Sequence, residues 1–291
     1  MGYLDDAWAG LRRALEITET ERRAAIRRHT EIREHVRSEI ELRTDFLTGS
    51  YARHTKTKPL KDVDIFCVVD GDGTNAGLRD KSAYGALGEL QRVLVQKWPS
   101  ASIGRRAVSI DVGAEEKITS FDVVLAFDRQ EGGFELPDTT TSDWIASDPT
   151  IHATQATAKN KACEEKWKPF VKMVKGWNRE WDKPVRPSFL LEVMAFELVN
   201  EPFGSWGDEL ILFFANAADR IDEVWPDPAG LGPDVNSSMS SAEKALAAAK
   251  LREARIIAER ASDLADEGKE KAAVEEYRRL FGSRMPRPPT G

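Results

Sequence analysis

Two short stretches of this 291-residue chain hold residue types that could do phosphate chemistry together. In Thr48-Gly49-Ser50-Tyr51-Ala52-Arg53, a glycine permits close backbone approach and a serine offers a hydroxyl to an anion. In Lys58-Pro59-Leu60-Lys61-Asp62-Val63-Asp64-Ile65, two carboxylates stand two residues apart. On a strand, side chains at i and i+2 share a face, so Asp62 and Asp64 open into one space while Val63, Ile65 and Cys67 point the other way. Hard oxygen donors paired in this way suit Mg2+ carrying a nucleoside triphosphate. Each stretch is weak alone, since Gly-Ser is an ordinary turn and Asp-x-Asp is commonly a solvated loop pair. Set close together, each beside an apolar β-type run, they gain a specificity that neither has singly.

A two-metal site of this kind wants a third carboxylate on a neighbouring strand. Asp122 interrupts Phe121-Asp122-Val123-Val124-Leu125, where an acid is costly unless it is paired or bound to metal. Asp111, in Ser109-Ile110-Asp111-Val112, competes for the role, with a solvent-facing strand position as its plainer reading. Asp122 is preferred. Basic residues gather around the Gly-Ser turn as Arg53, His54, Lys56, Lys58 and Lys61, and again later as Lys166, Lys168, Lys172 and Lys175. Taken alone, the later group reads as a solvated helix face.

A net charge of −7 argues against a protein that grips long nucleic acid over a broad surface, because such binding draws on phosphate neutralisation. Small nucleotides are not excluded. Cys67 and Cys163 are the only cysteines, too few for a disulfide framework or a cysteine zinc site. Cys67 sits within Ile65-Phe66-Cys67-Val68-Val69 and reads as a small buried hydrophobe. No apolar run has the length of a membrane span and the acidic N-terminus is unlike a signal peptide, so a cytoplasmic protein with no membrane partner is expected.

The elements that must position these groups follow from periodicity. The first forty residues read as helix, with Thr18-x-x-Glu21 as a capping box that divides or interrupts it. Strands are expected at 42–47, 63–69, 107–112 and 120–127, with a helix over 82–98 carrying Leu87, Leu90 and Leu94 on one face. Gly132-Gly133 and 138–142 read as turn and loop. Beyond Pro149, helices are expected over 152–181, 188–200, 206–224, 241–266 and 269–281, with 226–233 a loop. The fold class is α+β, a mixed sheet with flanking helices followed by a helical domain. The expected division is a helical segment over 1–40 packing across both lobes, a catalytic core over 41–150 and a helical domain over 151–291.

The order Gly49-Ser50, Asp62-x-Asp64, Phe121 to Phe127, Gly133 to Pro137, Trp144-Ile145 and Asp148-Pro149-x-x-His152 resembles the bacterial cGAS/DncV-like nucleotidyltransferases, within the polymerase-beta-like superfamily. The resemblance continues through Phe170 to Asn178 and Pro187-Ser188-Phe-Leu-Leu-Glu192, about half the chain in all. It implies a synthase of cyclic oligonucleotide signals in anti-phage defence, with a polymerase-beta-like core. It further implies that Asp62, Asp64 and Asp122 are catalytic and bind two Mg2+ or Mn2+ ions. Gly49, Ser50, Lys175 and Ser188 would contact the donor nucleotide, the last two from the helical domain. Taken without the resemblance, Ser188 after Pro187 looks like a helix N-cap. The substrates implied are nucleoside triphosphates, ATP first, with GTP, UTP and CTP as further candidates, and no long nucleic-acid template. The alternatives are a linear transferase acting on RNA or a small molecule, and a silent nucleotide-binding regulator. The proline-rich end Met285 to Gly291 reads as an extended, exposed terminus. Some family members are joined to another molecule through their last residue, so a defence-operon regulatory or conjugating partner is also implied.

Overall fold

The computed structural model describes residues 2–113 and 120–289. The chain divides into two compact units. One comprises residues up to Glu16 with Thr154–Pro228 and the chain from Pro233 onward; the other comprises Ile17–Ala153 with Ala229–Gly232.

The sheet unit opens on α2 (Glu19–Glu39), separated from α1 (Tyr3–Leu15) where the capping box was expected. The Thr18 side chain accepts from the Glu21 backbone N–H, and the Glu21 carboxylate accepts from that of Thr18 at 2.7 Å. Two otherwise orphaned amides are thereby satisfied. The chain continues through β1 (Leu42–Thr48), the single turn α3 (Gly49–Ala52), β2 (Asp62–Val69) and α4 (Ala83–Leu94). After these come β3 (Ser102–Ile103), β4 (Val108–Asp111), β5 (Ser120–Asp128), β6 (Phe134–Asp138) and β7 (Asp143–Ser147). The strand order is β1-β2-β5-β4-β3, with β6 paired to β5 and β7. β2 and β5 are parallel and the other pairs antiparallel, the mixed sheet expected. The parallel pair is the one that needs a long crossover, which 70–119 provides.

Period-two alternation sends β2 and β5 to two different environments. Val63, Ile65, Cys67 and Val69 join Phe121, Val123, Leu125 and Phe127 against Ile32, Val36, Leu87 and Leu90 of α2 and α4. On the opposite face, Phe66, Val68 and Ala126 form a smaller cluster with Leu136, backed by Phe46 and Phe134. Full burial of side chains like these is worth roughly 1.5–3 kcal/mol each, ample to hold the strand pair in register. The buried Asp45 of β1 takes ion pairs from Arg33 and Arg37, tying α2 to the sheet.

The β6–β7 hairpin was not anticipated: Pro137 and the short runs hide its alternation. Gly132 and Gly133, both at positive φ, turn the chain into it, and 139–142 form its tip. The expected single helix over 152–181 is also two, α5 (Pro149–Ala162) and α6 (Trp167–Glu180). Glu164 and Glu165 take positive φ between them, and the Asn160 side chain accepts from the Lys168 N–H. The backbone thus finds partners outside a continuous helix.

The helical unit adds α7 (Ser188–Leu198), α8 (Trp206–Arg220), α9 (Ser241–Asp266) and α10 (Glu270–Phe281) around a core containing Trp167, Trp177, Phe213, Phe214 and Tyr277. The extended, exposed terminus expected from Met285 onward is non-helical but partly held down as far as it is described. Met285 is fully buried and Arg287 makes a bidentate pair with Glu275 at 2.6 and 2.7 Å. Gly291 lies outside the described residues. Among the described residues no helix is long and apolar enough to cross a membrane.

Asp138, at the end of β6, accepts from Arg105 Nε, Arg106 Nε (2.7 Å) and the Thr140 N–H (2.8 Å) with its side chain fully buried. Burial pushes its carboxyl up, but the two guanidiniums outweigh that and hold it well below the usual carboxylate range. Its contribution to stability is therefore present above an unfolded pKa of about 3.9 and lost as pH falls below it. Asp138→Ala, which leaves both arginines without this partner, should lower unfolding free energy by about 2–4 kcal/mol at pH 7. Urea midpoints of the two proteins should converge as the pH is taken below ~4.

Candidate active site

Strand register brings four polar side chains into one row. Thr48 of β1 pairs with Asp64 of β2, Asp64 with Asp122 of β5, and Asp122 with Ser109 of β4. Asp64, Asp122 and Ser109 are each flanked along their strands by residues that point into the main core, and Thr48 follows Leu47, which packs on that core, so alternation puts all four on the opposite face. Asp62, two residues before Asp64, pairs with Ser120 and shares that face. The three acids preferred from sequence therefore meet at one end of the parallel β2–β5 pair. Asp111 pairs with Ser120 on the same face, but it is exposed and its carboxylate is turned to the Gly113 N–H, from which it accepts at 2.8 Å.

Gly49 follows β1 at φ +64°, and a Cβ built there would stand 1.8 Å from Asp64 Oδ2. Both the backbone angle and the space demand glycine, because the turn packs directly on the carboxylate. Ser50 lies in the same helical turn, and its carbonyl accepts from the Thr55 N–H at 2.9 Å.

Several partners were not foreseen from sequence. Ser109 Oγ donates to Asp122 Oδ1 at 2.6 Å and Ser120 Oγ to Asp62 Oδ1 at 2.8 Å. Lys56 Nζ lies 3.0 Å from Asp62 Oδ2. Buried Glu21 accepts from the Leu60 N–H at 3.1 Å and so ties the start of α2 to the segment entering β2. The alternation Val108-Ser109-Ile110-Asp111 was the signal for Ser109, since the serine must face away from the core that its neighbours enter.

The electrostatics are those of charge awaiting compensation. Burial, then the neighbouring Asp122 carboxylate, pushes Asp64 up to about 6, with Lys56 and Arg53 opposing. Asp122 is raised chiefly by burial, with the Ser109 hydrogen bond resisting. Burial would raise Asp62 too, but Lys56, Ser120 and Lys61 together hold it below its ordinary value. Among the described residues no three histidine, cysteine or acidic side chains stand closed around a metal position. Asp62 and Asp122 are instead turned to Lys56, Ser120 and Ser109. The donors nonetheless fit a hard divalent cation. Three carboxylates share one face of adjacent strands, and an ammonium already pairs with one of them as a cation.

Lys175 and Ser188 belong to the other unit. Lys175 is buried and pairs with buried Glu192 at 2.6 Å, and Lys172 pairs with Glu16 at 2.6 Å. The expected solvated lysine face is thus largely internal. Ser188 is exposed at the first helical position of α7; Pro187, in extended conformation, takes the N-cap place, so the serine is not the cap.

A mixed sheet with three acids at one end of a parallel strand pair, preceded by a Gly-Ser turn, defines a nucleotidyltransferase of polymerase-beta-like architecture. The family model described as the Second Messenger Oligonucleotide or Dinucleotide Synthetase domain matches residues 5–160, over half of the chain. The chain belongs to that family, the bacterial cGAS/DncV-like nucleotidyltransferases. It is similar to a cyclic AMP-AMP-AMP synthase of an Acinetobacter species, at 26% identity over 91% of this chain and 77% of that protein. Among solved structures it is similar to the Bradyrhizobium diazoefficiens CD-NTase CdnG in complex with GTP. That match has a TM-score of 0.77 and 14% identity, covering 98% of this chain and 97% of the other. An Escherichia coli CdnC structure with ATP gives a TM-score of 0.72 at 16% identity, over 97% and 98% of the two chains.

Raising the Asp64 pKa from 3.8 to about 6 means that ionising it costs stability in the metal-free protein. The cost is absent below the unfolded pKa, grows as pH rises through the interval and is constant above the folded value. With EDTA present, Asp64→Asn should therefore be more stable than wild type by about 1–2 kcal/mol at pH 7.5, after allowing for solvent screening. That difference should vanish near pH 4, as followed by urea unfolding.

Proposed function

We propose that this enzyme is a Mg2+-dependent nucleotidyltransferase that condenses nucleoside triphosphates into a cyclic di- or trinucleotide, with release of pyrophosphate, as a second messenger in bacterial anti-phage signalling. The observation that carries the reading is the register of β2 and β5. It sets Asp64 beside Asp122, with Gly49 packed against the Asp64 carboxylate. In this reading Asp62, Asp64 and Asp122 hold two Mg2+ or Mn2+ ions. When bound, these neutralise charge developing on the transferred phosphoryl group and favour the nucleophilic form of the acceptor hydroxyl.

Each residue then has a stated task. Gly49 and Ser50 line the donor phosphates, and the glycine's missing Cβ leaves room for the Asp64 carboxylate beside the turn. Ser109 fixes the orientation of Asp122 toward the acceptor side, as Ser120 does for Asp62. Lys175 and Ser188 contact the triphosphate, Lys175 exchanging Glu192 for phosphate oxygens. The acceptor hydroxyl oxygen bonds to the α-phosphorus as the bond to pyrophosphate breaks in line, and a second transfer closes the ring. Residues 41–150 serve as the catalytic core and 151–291 as the helical domain. ATP is the first candidate substrate because the Acinetobacter relative is named for an AMP product; GTP, UTP and CTP follow. A regulatory partner encoded in the same defence operon is in keeping with an E. coli CdnC solved as a complex with HORMA. The working compartment is the cytoplasm, and no long nucleic-acid template is required.

Incubating the protein with labelled triphosphates and Mg2+ or Mn2+ should give a phosphatase-resistant product that phosphodiesterase opens, and added RNA should neither prime the reaction nor be extended. A phosphatase-sensitive ladder growing from RNA would establish a linear transferase instead. Asp62→Ala with Asp64→Ala should remove product by more than about 10³-fold while keeping the fold, since it deletes ligands and relieves repulsion. Unchanged turnover would exclude the acids from catalysis.

Lys175→Ala and Ser188→Ala should chiefly raise the apparent KM for triphosphate, by roughly tenfold each, because contacts made in ground and transition state alike act on binding. Wild-type apparent affinity for every nucleotide in both variants would remove these two residues from the donor site.

A further inference from the structure

A cation already in contact with one of the three acids belongs to the protein. Lys56 lies on the segment between α3 and β2, flanked by Thr55 and Thr57, which are 0% and 3% exposed. The Thr55 N–H donates to the Ser50 carbonyl at 2.9 Å, and buried Leu60 is held by Glu21. This segment is pinned at both ends, and the Lys56 side chain itself is only 13% exposed. Its ammonium contacts Asp62 Oδ2 at 3.0 Å. Among the described residues, Lys56 acts electrostatically on Asp62, Asp64 and Asp122, whereas Arg53 acts on Asp64 and Lys61 on Asp62. A surface lysine would be expected to pair with one exposed acid and contribute little. This one is itself largely buried, although Asp62, the acid it pairs with, is half exposed.

We propose that Lys56 is the resident counter-ion of the catalytic acids, which a divalent cation must displace from Asp62, and that the released ammonium then turns to the triphosphate. The inference rests on the reading of Asp62, Asp64 and Asp122 as metal ligands. Its consequence is a coupling between two ligands. Metal alone must break the Lys56–Asp62 pair and sit beside an unpaired ammonium, a repulsive arrangement at short range. Metal arriving with nucleotide brings several phosphate charges that can take up the displaced lysine. Lys56 thereby weakens the binding of free metal and strengthens that of the metal–nucleotide complex, and the coupling is reciprocal.

The test is Mn2+ binding followed by electron paramagnetic resonance, without turnover, in the presence and absence of a non-hydrolysable ATP analogue. Without nucleotide, Lys56→Met should bind Mn2+ about tenfold more tightly than wild type, the scale of one removed charge contact at a partly buried site. With the analogue the advantage should disappear or reverse. Lys56→Arg, which keeps the charge, should behave as wild type, an outcome that lost packing would not produce. Lys56→Gln gives the same comparison should the methionine variant fail to fold. Equal Mn2+ affinity of wild type and Lys56→Met without nucleotide would overturn the proposal while leaving the acids as metal ligands. No Mn2+ binding to any of these proteins, with or without the analogue, would overturn both.

Discussion

The parallel pairing of β2 with β5 is the constraint on which the rest of the sheet unit depends. It aligns Asp64 with Asp122 across adjacent strands, with Asp62 one step along the same face. Gathering carboxylates at a partly buried strand end is unfavourable on its own, and the upward pressure on Asp64 and Asp122 expresses that cost. The arrangement persists because the other face of the same strands is one of the most apolar parts of the chain. Val63, Ile65 and Cys67, with Phe121, Val123 and Leu125, are fully buried. A slip of one residue would carry those side chains out of the core and the acids into it. Packing on one face therefore enforces electrostatic tension on the other, tension that a divalent cation would relieve in the proposed function.

Supporting groups reduce the tension without abolishing it. Ser109 and Ser120 each satisfy one carboxylate oxygen, leaving charge in place while fixing direction. Lys56 supplies one positive charge where the chemistry of the acids calls for more. Glu21 links this region to the helical start of the unit through a single backbone amide, so that a capping residue also positions the segment that enters β2. In the helical unit the same economy of charge recurs in another form. Lys175 and Glu192 are both buried, a pairing in which removal of either partner leaves the other stranded.

How far the site could be read from the residues depended on whether a local rule specified the position. The Gly-Ser turn, Asp62, Asp64 and Asp122 were legible because each breaks or punctuates an apolar strand, and alternation then dictates its face. The capping box at Thr18 and Glu21 was legible for a similar reason, as a pattern complete within four residues. Ser109 and Ser120 were not singled out, since a serine in a strand is unremarkable until the neighbouring strand is known. Lys56 looked like one member of a basic loop; its place among the acids depends on Thr55 and Thr57 being buried, which is a tertiary fact. The β6–β7 hairpin was hidden by Pro137 and the glycines before it, and the break between α5 and α6 by residues that are good helix formers. Burial of Lys172 and Lys175 likewise came from partners distant in sequence, Glu16 and Glu192.

The central claim is that Asp62, Asp64 and Asp122 jointly hold the ions that activate a bound triphosphate. Its most direct test is a crystal structure with Mn2+ and a non-hydrolysable ATP analogue, with metal positions located by anomalous scattering. Two peaks about 3.5–4 Å apart are expected, each in contact with oxygens of these carboxylates and with the analogue's phosphates. Manganese bound only to phosphate, or at a place remote from Asp64 and Asp122, would contradict it.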